Sequence, residues 1–134
     1  MEDQQKTFDV RVSMEVKLTQ QDVDDIICTA LEGGITYWAD KAVVVGEYLG
    51  EYASEQISRG GKLRIRTMEP FDKNNTRWYE LNIEKFLQGF RLWVENGYDE
   101  CNAVSGGQVD CCEIDGCASD CIIQLALFGE VVYA

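Results

Sequence analysis

Cationic side chains cluster in one segment of an otherwise acidic chain. The 134-residue sequence has 12 Lys and Arg against 24 Asp and Glu, a formal net charge of −12. The segment from Arg59 to Arg91 nevertheless holds eight of the cations and only four of the acids. Repulsion from distant charges is screened over roughly 8–10 Å, whereas contact pairs are not. This segment can therefore hold a small anion while the chain repels DNA and RNA; the alternative is solvated charge alternating along a strand.

Aromatic residues on a predicted helix could supply a stacking surface beside these cations. Phe86, Phe90 and Trp93 follow one another at positions i, i+4 and i+7, and Asn96 comes about one turn later. An aromatic ring can stack on a nucleobase, and an Asn amide can both donate to and accept from an adenine edge. We therefore expect this helix to line a nucleotide pocket; the alternative is an aromatic core in which Asn96 only ends the helix.

Phosphate contacts for the same ligand could come from three places. Arg91 lies on the aromatic helix, and the alternating strand Lys62–Arg66 places its cations on one face. Gly60 and Gly61, directly after Arg59, predict a tight turn whose backbone N–H groups could face an anion. Together with the aromatic helix, these residues predict a binding site for a nucleotide.

The sequence has no residue set for the common catalytic mechanisms. It contains no histidine, which excludes Ser-His-Asp and Cys-His mechanisms and removes the commonest general base at neutral pH. It has no Walker-type loop and no GxGxxG motif. We expect a protein that is not an enzyme, with no catalytic residues and no cofactor; a magnesium site made of carboxylates alone stays open as an alternative.

Five of the six cysteines fall between Cys101 and Cys121, which raises the question of zinc. Their spacing contains no CxxC pair, and the chain has no histidine for a mixed site. Cys117 and Cys121 are one helical turn apart, as expected for small apolar side chains on a buried face. We expect structural thiols and no bound metal, with a redox pair as the remaining alternative.

The pattern of apolar residues predicts an α+β fold. Strict alternation predicts a long strand at Thr7–Leu18, and Thr19 with Asp22 forms a capping box for a helix that ends near Leu31. The other predicted elements are strands at Lys62–Met68, Trp78–Leu81 and Val131–Tyr133 and helices at Ile83–Glu95 and Ala118–Phe128. A further helix could form within Gly46–Ile57. We expect antiparallel strands packed with two to four helices in a single domain spanning residues 1–134.

The ends and the apolar runs of the chain predict where it resides. Residues 1–6 are polar and acidic and are expected to be flexible, and they lack the apolar core of a signal peptide. The longest apolar runs are too short to span a bilayer. We expect a cytosolic protein with no membrane partner. We also expect an oligomer, because Ile83–Glu95 and Ala42–Val45 carry more apolar residues than one buried stripe requires.

Six segments together resemble a known protein family. They are Thr29–Gly34 (TALEGG), Tyr37–Lys41 (YWADK), Gly50–Ser54 (GEYAS), Ile57–Gly61 (ISRGG), Lys85–Phe90 (KFLQGF) and Cys121–Gly129 (CIIQLALFG). In these segments the chain resembles the phage Thoeris anti-defence proteins of the first type, which are small proteins that sequester cyclic ADP-ribose signals. The resemblance extends from about Leu18 to Tyr133. It does not include the first 17 residues or the loops Glu69–Thr76 and Tyr98–Gln108.

The resemblance implies a function and a set of site residues. It implies that Phe86 and Asn96 line a pocket for a cyclic ADP-ribose isomer at a subunit interface. It further implies a second site, for cyclic trinucleotides, at the loop Arg59-Gly60-Gly61. The implied assembly is a homo-oligomer, either a dimer or a hexamer built from dimers, acting in the host cytoplasm. The chain would bind its ligand stoichiometrically, without cleaving it.

Two other classes of function remain as alternatives. The net charge of −12 is compatible with an acidic DNA mimic that inhibits a host nuclease. The cationic segment argues against this class, because a mimic requires an unbroken negative surface. A hydrolase that cleaves the messenger is the second alternative, and the absence of histidine argues against it. The two alternatives differ from a sponge in a simple way, since only a sponge would release intact ligand after denaturation.

Overall fold

A computed structural model describes residues 5–70, 73–99 and 102–134. In these ranges the main elements are α1 (Gln20–Thr29), β1 (Ala39–Val45), β2 (Lys62–Thr67), β3 (Trp78–Leu81), α2 (Ile83–Glu95), β4 (Val104–Ser105), β5 (Gln108–Val109) and α3 (Gly116–Phe128). A π-helical turn, Ala30–Gly34, continues α1, and a short 3-10 turn, Cys111–Glu113, precedes α3. All of the strand pairs are antiparallel, so the predicted α+β class is confirmed. Predictions that concern residues 1–4, Phe71, Asp72, Glu100 and Cys101 lie outside the described residues.

The larger sheet presents two chemically different faces. Its strand order is β1-β2-β3, with β2 in the centre. Successive side chains of a strand point to opposite faces, and β2 separates its residues accordingly. The buried residues of β2 are Leu63, Ile65 and Thr67. The residues on its other face are Lys62, Arg64 and Arg66. The predicted strand is therefore confirmed, and it places three cations on one side of the sheet.

The three helices begin where capping residues predict. Thr19 and Asp22 form the expected capping box at the start of α1, each side chain accepting the other's backbone N–H at 3.0 Å. Asn82 and Asp115 each accept the backbone N–H three residues further on, at 2.8 and 2.9 Å. Helix α3 ends at Gly129, whose φ of +74° is the left-handed conformation that glycine adopts without strain.

Helices α2 and α3 cross closely because α2 carries a glycine at the contact. A Cβ atom added to Gly89 would lie 2.6 Å from backbone atoms of Ile122 and Ala126 on α3, closer than side-chain carbons come to such atoms. The buried aromatic residues of α2 contribute to a single core that also includes side chains of α1, β2 and α3. Burial of this apolar surface is the main force that holds the layers together.

The predicted strand at Thr7–Leu18 is wrong. Residues 5–19 have no helix or strand in the structure, and between residues 5 and 18 the one backbone bond to another described backbone group is Lys17 N–H to Gly107 O, at 2.8 Å. The alternating pattern is present, but none of the strands that the structure describes pairs with it. We call Thr7–Leu18 the N-terminal arm.

Two further elements differ from the sequence-based expectation. Val131–Tyr133 is not a strand, because the Gln124 side chain accepts the N–H groups of Val132 and Tyr133, both at 2.8 Å. Within Gly46–Ile57 the only helical turn is a short 3-10 segment, Ala53–Glu55. Across the described ranges, none of the helices combines the length and apolar character needed to cross a bilayer.

Candidate functional site

The pocket predicted on α2 is not assembled in the structure. Phe86 and Trp93 are 0% and 2% exposed, so both rings are packed in the core. Arg91 is exposed, and its Nε donates to Glu95 Oε1 at 2.8 Å. Asn96 is exposed at the C-terminal end of α2, ten residues and therefore about 15 Å along the axis from Phe86. Physically, the aromatic stripe forms core, and the two polar residues lie on the surface.

The cavity beside Trp93 has the wrong charge for a phosphate ligand. Its volume is about 240 Å³. Its lining is Trp93, Tyr98, Asp99, Glu113, Asp115, Cys117, Ala118 and Cys121, with three carboxylates and no cation among these residues. An anion placed there would meet like charges at short range and would lose its hydration without compensation. This cavity therefore does not support nucleotide binding at α2.

The polar groups of the loop Arg59-Gly60-Gly61 are also bonded within the chain. Arg59 Nη1 lies 3.4 Å from Oδ2 of the buried Asp24 and donates to Glu55 O at 3.1 Å. The N–H groups of Gly60 and Gly61 donate to carbonyl groups of the preceding turn, at 3.0 and 2.9 Å. The expectation that these N–H groups face an anion is therefore wrong, because both already have partners within the chain.

The cations of β2 instead face an open surface. In an antiparallel sheet, directly opposite residues share a face. Arg64 lies opposite Val43 and Glu80, and Arg66 lies opposite Lys41 and Trp78. We call this surface the basic sheet face; it comprises Lys41, Val43, Lys62, Arg64, Arg66, Trp78 and Glu80. It is the part of the chain where strand register brings four cations to one side.

Two of the four cations have acidic partners, and two are available. Arg66 forms a bidentate pair with Asp40, Nε to Oδ1 at 2.8 Å, and this hydrogen-bonded pair lowers the pKa of Asp40. Lys62 Nζ lies 3.4 Å from Glu80 Oε1. Within the described part of the chain, neither the Lys41 ammonium nor the Arg64 guanidinium has a hydrogen bond or an ion pair. The basic sheet face therefore keeps a positive excess beside exposed apolar groups.

Apolar and aromatic side chains adjoin two guanidinium groups of the basic sheet face: Val43 lies opposite Arg64, and Trp78 lies opposite Arg66. The Trp78 side chain is 44% exposed and Val43 is 42% exposed. The Arg66 guanidinium lies over the Trp78 ring, with its Cζ 5.7 Å from the ring centroid. Because Asp40 fixes that guanidinium, the orientation of Trp78 is also constrained. The arrangement can offer a stacking surface to a planar group and a cation to a phosphate.

A buried carboxylate forms a second polar cluster, which sequence analysis missed. Asp120 lies on α3 and is 7% exposed. Its Oδ2 accepts from Tyr37 Oη at 2.6 Å, and its Oδ1 accepts from Trp38 Nε1 at 2.7 Å and from Gln124 Nε2 at 2.9 Å. The signal in the sequence was the polar pair Asp120 and Gln124, one turn apart in an otherwise apolar helix.

This cluster supports the fold around an aromatic cavity. Burial, followed by the hydrogen bond to Asp120, raises the pKa of Tyr37. Trp38 stacks on Tyr133 with ring centroids 5.2 Å apart and planes within 5°. The adjacent cavity, of about 610 Å³, includes Tyr37, Asp120 and Tyr133 in its lining. Asp120 accepts from Tyr37 and Trp38, and Gln124 accepts from Val132 and Tyr133, so the cluster joins α3, the residues before β1 and the C-terminal segment.

Comparisons with known proteins add no assignment to this geometry. Models of protein families, curated proteins and solved structures all give no match to the chain. Among the residues described, no group of three or more His, Cys, Asp and Glu side chains is arranged to hold a metal ion.

Proposed function

We propose that this protein binds and sequesters a cyclic ADP-ribose isomer without cleaving it, as a phage anti-defence sponge that blocks Thoeris-type immunity in the host cytoplasm. The observation that carries the proposal is the basic sheet face, where the Lys41 and Arg64 side chains lie without acidic partners and the exposed Trp78 lies opposite Arg66. The resemblance of the chain to sponge proteins of that class supports it independently. The proposed site differs from the α2 pocket that the resemblance implies.

The available guanidinium suits a diphosphate. Arg64 lies on the central strand, so its backbone is held by hydrogen-bonded neighbours on both sides. A guanidinium binds phosphate oxygens in a bidentate fashion, and charge-assisted hydrogen bonds of this kind contribute about 1.5–3 kcal/mol each. Lys41, on the neighbouring strand, can add a second contact from the same face. A cyclic trinucleotide, if bound, would meet the same cations rather than the engaged Arg59.

The base of the ligand would meet Trp78. Stacking of a nucleobase on an aromatic side chain is worth about 1–3 kcal/mol. The contact of Arg66 with both Trp78 and Asp40 orders these side chains before the ligand arrives. Side chains that are already ordered lose less entropy on binding, so a larger part of the interaction energy appears as affinity.

Sequestration requires tight binding and no chemistry. A dissociation constant near 1 nM corresponds to roughly 12 kcal/mol. One stacked base with two or three charge-assisted phosphate contacts provides a large part of this free energy. The rest of the chain, which supplies most of the acidic residues, disfavours nucleic acids through long-range repulsion. The chain contains no histidine to act as a general base for cleavage.

The experiment that tests the proposal is recovery of the ligand. The full-length protein is incubated with a cyclic ADP-ribose isomer, separated from free ligand by desalting, and denatured by heat. Chromatography with mass spectrometry then identifies the released molecule. We expect intact ligand at a constant ratio to protein. A cleaved product would show a hydrolase instead, and the absence of any released ligand would contradict the proposal and return attention to the nuclease-inhibitor alternative.

A further inference from the structure

The N-terminal arm exposes an apolar face that the other described residues leave uncovered. Phe8, Val10, Val12 and Met14 share one parity of the alternating pattern, and their side chains are 56 to 81% exposed. Farther along the arm, Val16 and Leu18 have the same parity but pack partly against the hydrophobic core. The arm is therefore anchored at the end that holds Val16 and Leu18. No described strand pairs with its other end, where Lys6 Nζ lies 5.3 Å from the centroid of the Phe8 ring. Apolar side chains of such exposure, in the pattern of a strand, indicate a missing neighbour.

The contacts of the anchored end define which backbone edge is open. Lys17 N–H donates to Gly107 O at 2.8 Å, and the Glu15 carbonyl oxygen also faces Gly107, 2.8 Å from the position of an added Cβ. In an extended chain, alternate residues direct their backbone groups to opposite edges. The backbone groups of Glu15 and Lys17 thus face the β4–β5 turn. The backbone groups of the even-numbered residues point the other way and can accept a strand.

We propose that two copies of this chain pair through their N-terminal arms, as antiparallel strands related by a two-fold axis at Ser13. The sequence of the arm is complementary to its own reverse in this register. Asp9 of one copy lies opposite Lys17 of the other, and Arg11 lies opposite Glu15. Symmetry repeats both pairs, so each dimer contains four cross-strand pairs of opposite charge.

The neighbouring registers that keep the same parity are unfavourable. Shifting the two-fold axis by one residue toward the N-terminus places Asp9 opposite Glu15. Shifting it by one residue toward the C-terminus places Arg11 opposite Lys17. Like charges directly opposite each other destabilise a sheet, so the arm specifies the Ser13 register against its neighbours.

The same register also covers the exposed apolar residues. It places Phe8 of one copy opposite Leu18 of the other, and Val10 opposite Val16. Because Val16 and Leu18 pack against the core of their own chain, the exposed end of each arm is brought next to the anchored end of its partner. Phe8 and Val10 would thereby extend the core of the second copy. Charge pairing and apolar burial therefore select the same partner, another copy of this chain.

A charge exchange within the arm tests the pairing. Sedimentation equilibrium of the full-length protein is compared for the wild type, Arg11→Glu, Glu15→Arg, and the double variant with both changes. Each single change places two like-charged pairs across the dimer and is expected to weaken dimerisation about tenfold or more. The double variant restores opposite charges and is expected to dimerise like the wild type. Glu47→Arg, an exposed change of the same charge outside the arm, is the control and should have no effect.

Each outcome of this comparison is decisive. A wild type that stays monomeric at micromolar concentration would overturn the proposal. So would a dimer that the single changes leave intact, or a double variant no better than the singles. Cross-linking gives a second measurement, because Ser13→Cys places two thiols opposite each other across the axis at a separation of about 4.5–5.5 Å between Cβ atoms. This variant should form a covalent dimer on mild oxidation above the level of the wild type, and Thr7→Cys, whose copies lie far apart, should not.

Discussion

Trp38 Nε1 donates a hydrogen bond of 2.7 Å to Asp120 Oδ1, which joins the residue before β1 to the middle of α3. Both residues are buried, and the carboxylate is surrounded by neutral donors rather than by a cation. A buried carboxylate is tolerated only where donors replace its lost hydration. This bond, with those from Tyr37 and Gln124, therefore fixes how the segment before β1 packs against α3.

Asp120→Ala is expected to destabilise the protein by about 2–4 kcal/mol, because it leaves the buried Trp38 indole N–H without its acceptor and removes one acceptor of the Gln124 amide, which keeps Tyr133 O at 3.0 Å. Urea unfolding followed by tryptophan fluorescence measures the change. Glu130→Ala, an exposed acidic residue near the end of the same helix, should change the free energy of unfolding by less than about 0.5 kcal/mol. Equal stability of the two variants would show that the cluster contributes nothing.

Phe86→Ala is expected to act on stability rather than on ligand contacts. Truncation of a fully buried Phe leaves a cavity and costs about 3–5 kcal/mol. The neighbouring Leu87 is 45% exposed, so Leu87→Ala should have a small effect and is the matched control. Melting temperature and calorimetric affinity are measured on the same samples. A Phe86→Ala variant that melts like the wild type but no longer binds ligand would contradict the core role of Phe86 and support a ligand pocket on α2.

Several parts of the fold followed directly from the sequence because their signals are local. The start of α1 depends on Thr19 and Asp22, and that of α2 on Asn82, all of which contact backbone groups within three residues. The alternation in Lys62–Met68 predicted β2 correctly because both neighbouring strands lie in the same chain. The N-terminal arm has an equally strict pattern, but a pattern of side chains does not say where the partner strand comes from.

The site was harder to predict because an aromatic stripe at helical spacing has the same appearance in a core and in a pocket. Phe86 and Trp93 belong to the core, and only the contacts of α2 with the rest of the fold decide this. The cations of β2 were identified correctly as one face. Their neighbours Val43 and Trp78 come from other strands, so the composition of the surface depends on strand register, which the sequence did not reveal.

Arg59→Ala is expected to lower stability because it leaves the buried Asp24 with one fewer donor. Asp24 Oδ1 also accepts from Ser58 Oγ at 2.5 Å, which limits the expected loss to about 1–3 kcal/mol. Arg91→Ala is the control, since its exposed pair with Glu95 is worth about 0.3–0.5 kcal/mol. Chemical denaturation of both variants measures the difference. An Arg59→Ala variant as stable as Arg91→Ala would leave the loop free for a ligand role.

Cys111 is expected to be the slower of two adjacent thiols to react. Burial, followed by the hydrogen bond to Asp22, raises the pKa of Cys111 to about 12, so at pH 8 only about 10⁻⁴ of it is thiolate. Cys112 is exposed. Timed alkylation with fragment mass spectrometry should show Cys112 modified first, and equal rates would contradict the assignment. Because the pKa is raised above its ordinary value of 9.0, the free energy of unfolding should fall as the pH rises from about 9 to about 12.

The most direct test of the account is calorimetric titration of a cyclic ADP-ribose isomer into Arg64→Gln and Arg91→Gln. Both changes remove one exposed Arg, but only Arg64 lies on the basic sheet face. Loss of a charge-assisted phosphate contact should weaken the affinity of Arg64→Gln about 10- to 150-fold, while Arg91→Gln binds like the wild type. Wild-type affinity in Arg64→Gln, with loss of binding in Arg91→Gln, would contradict the basic sheet face and place the ligand on α2.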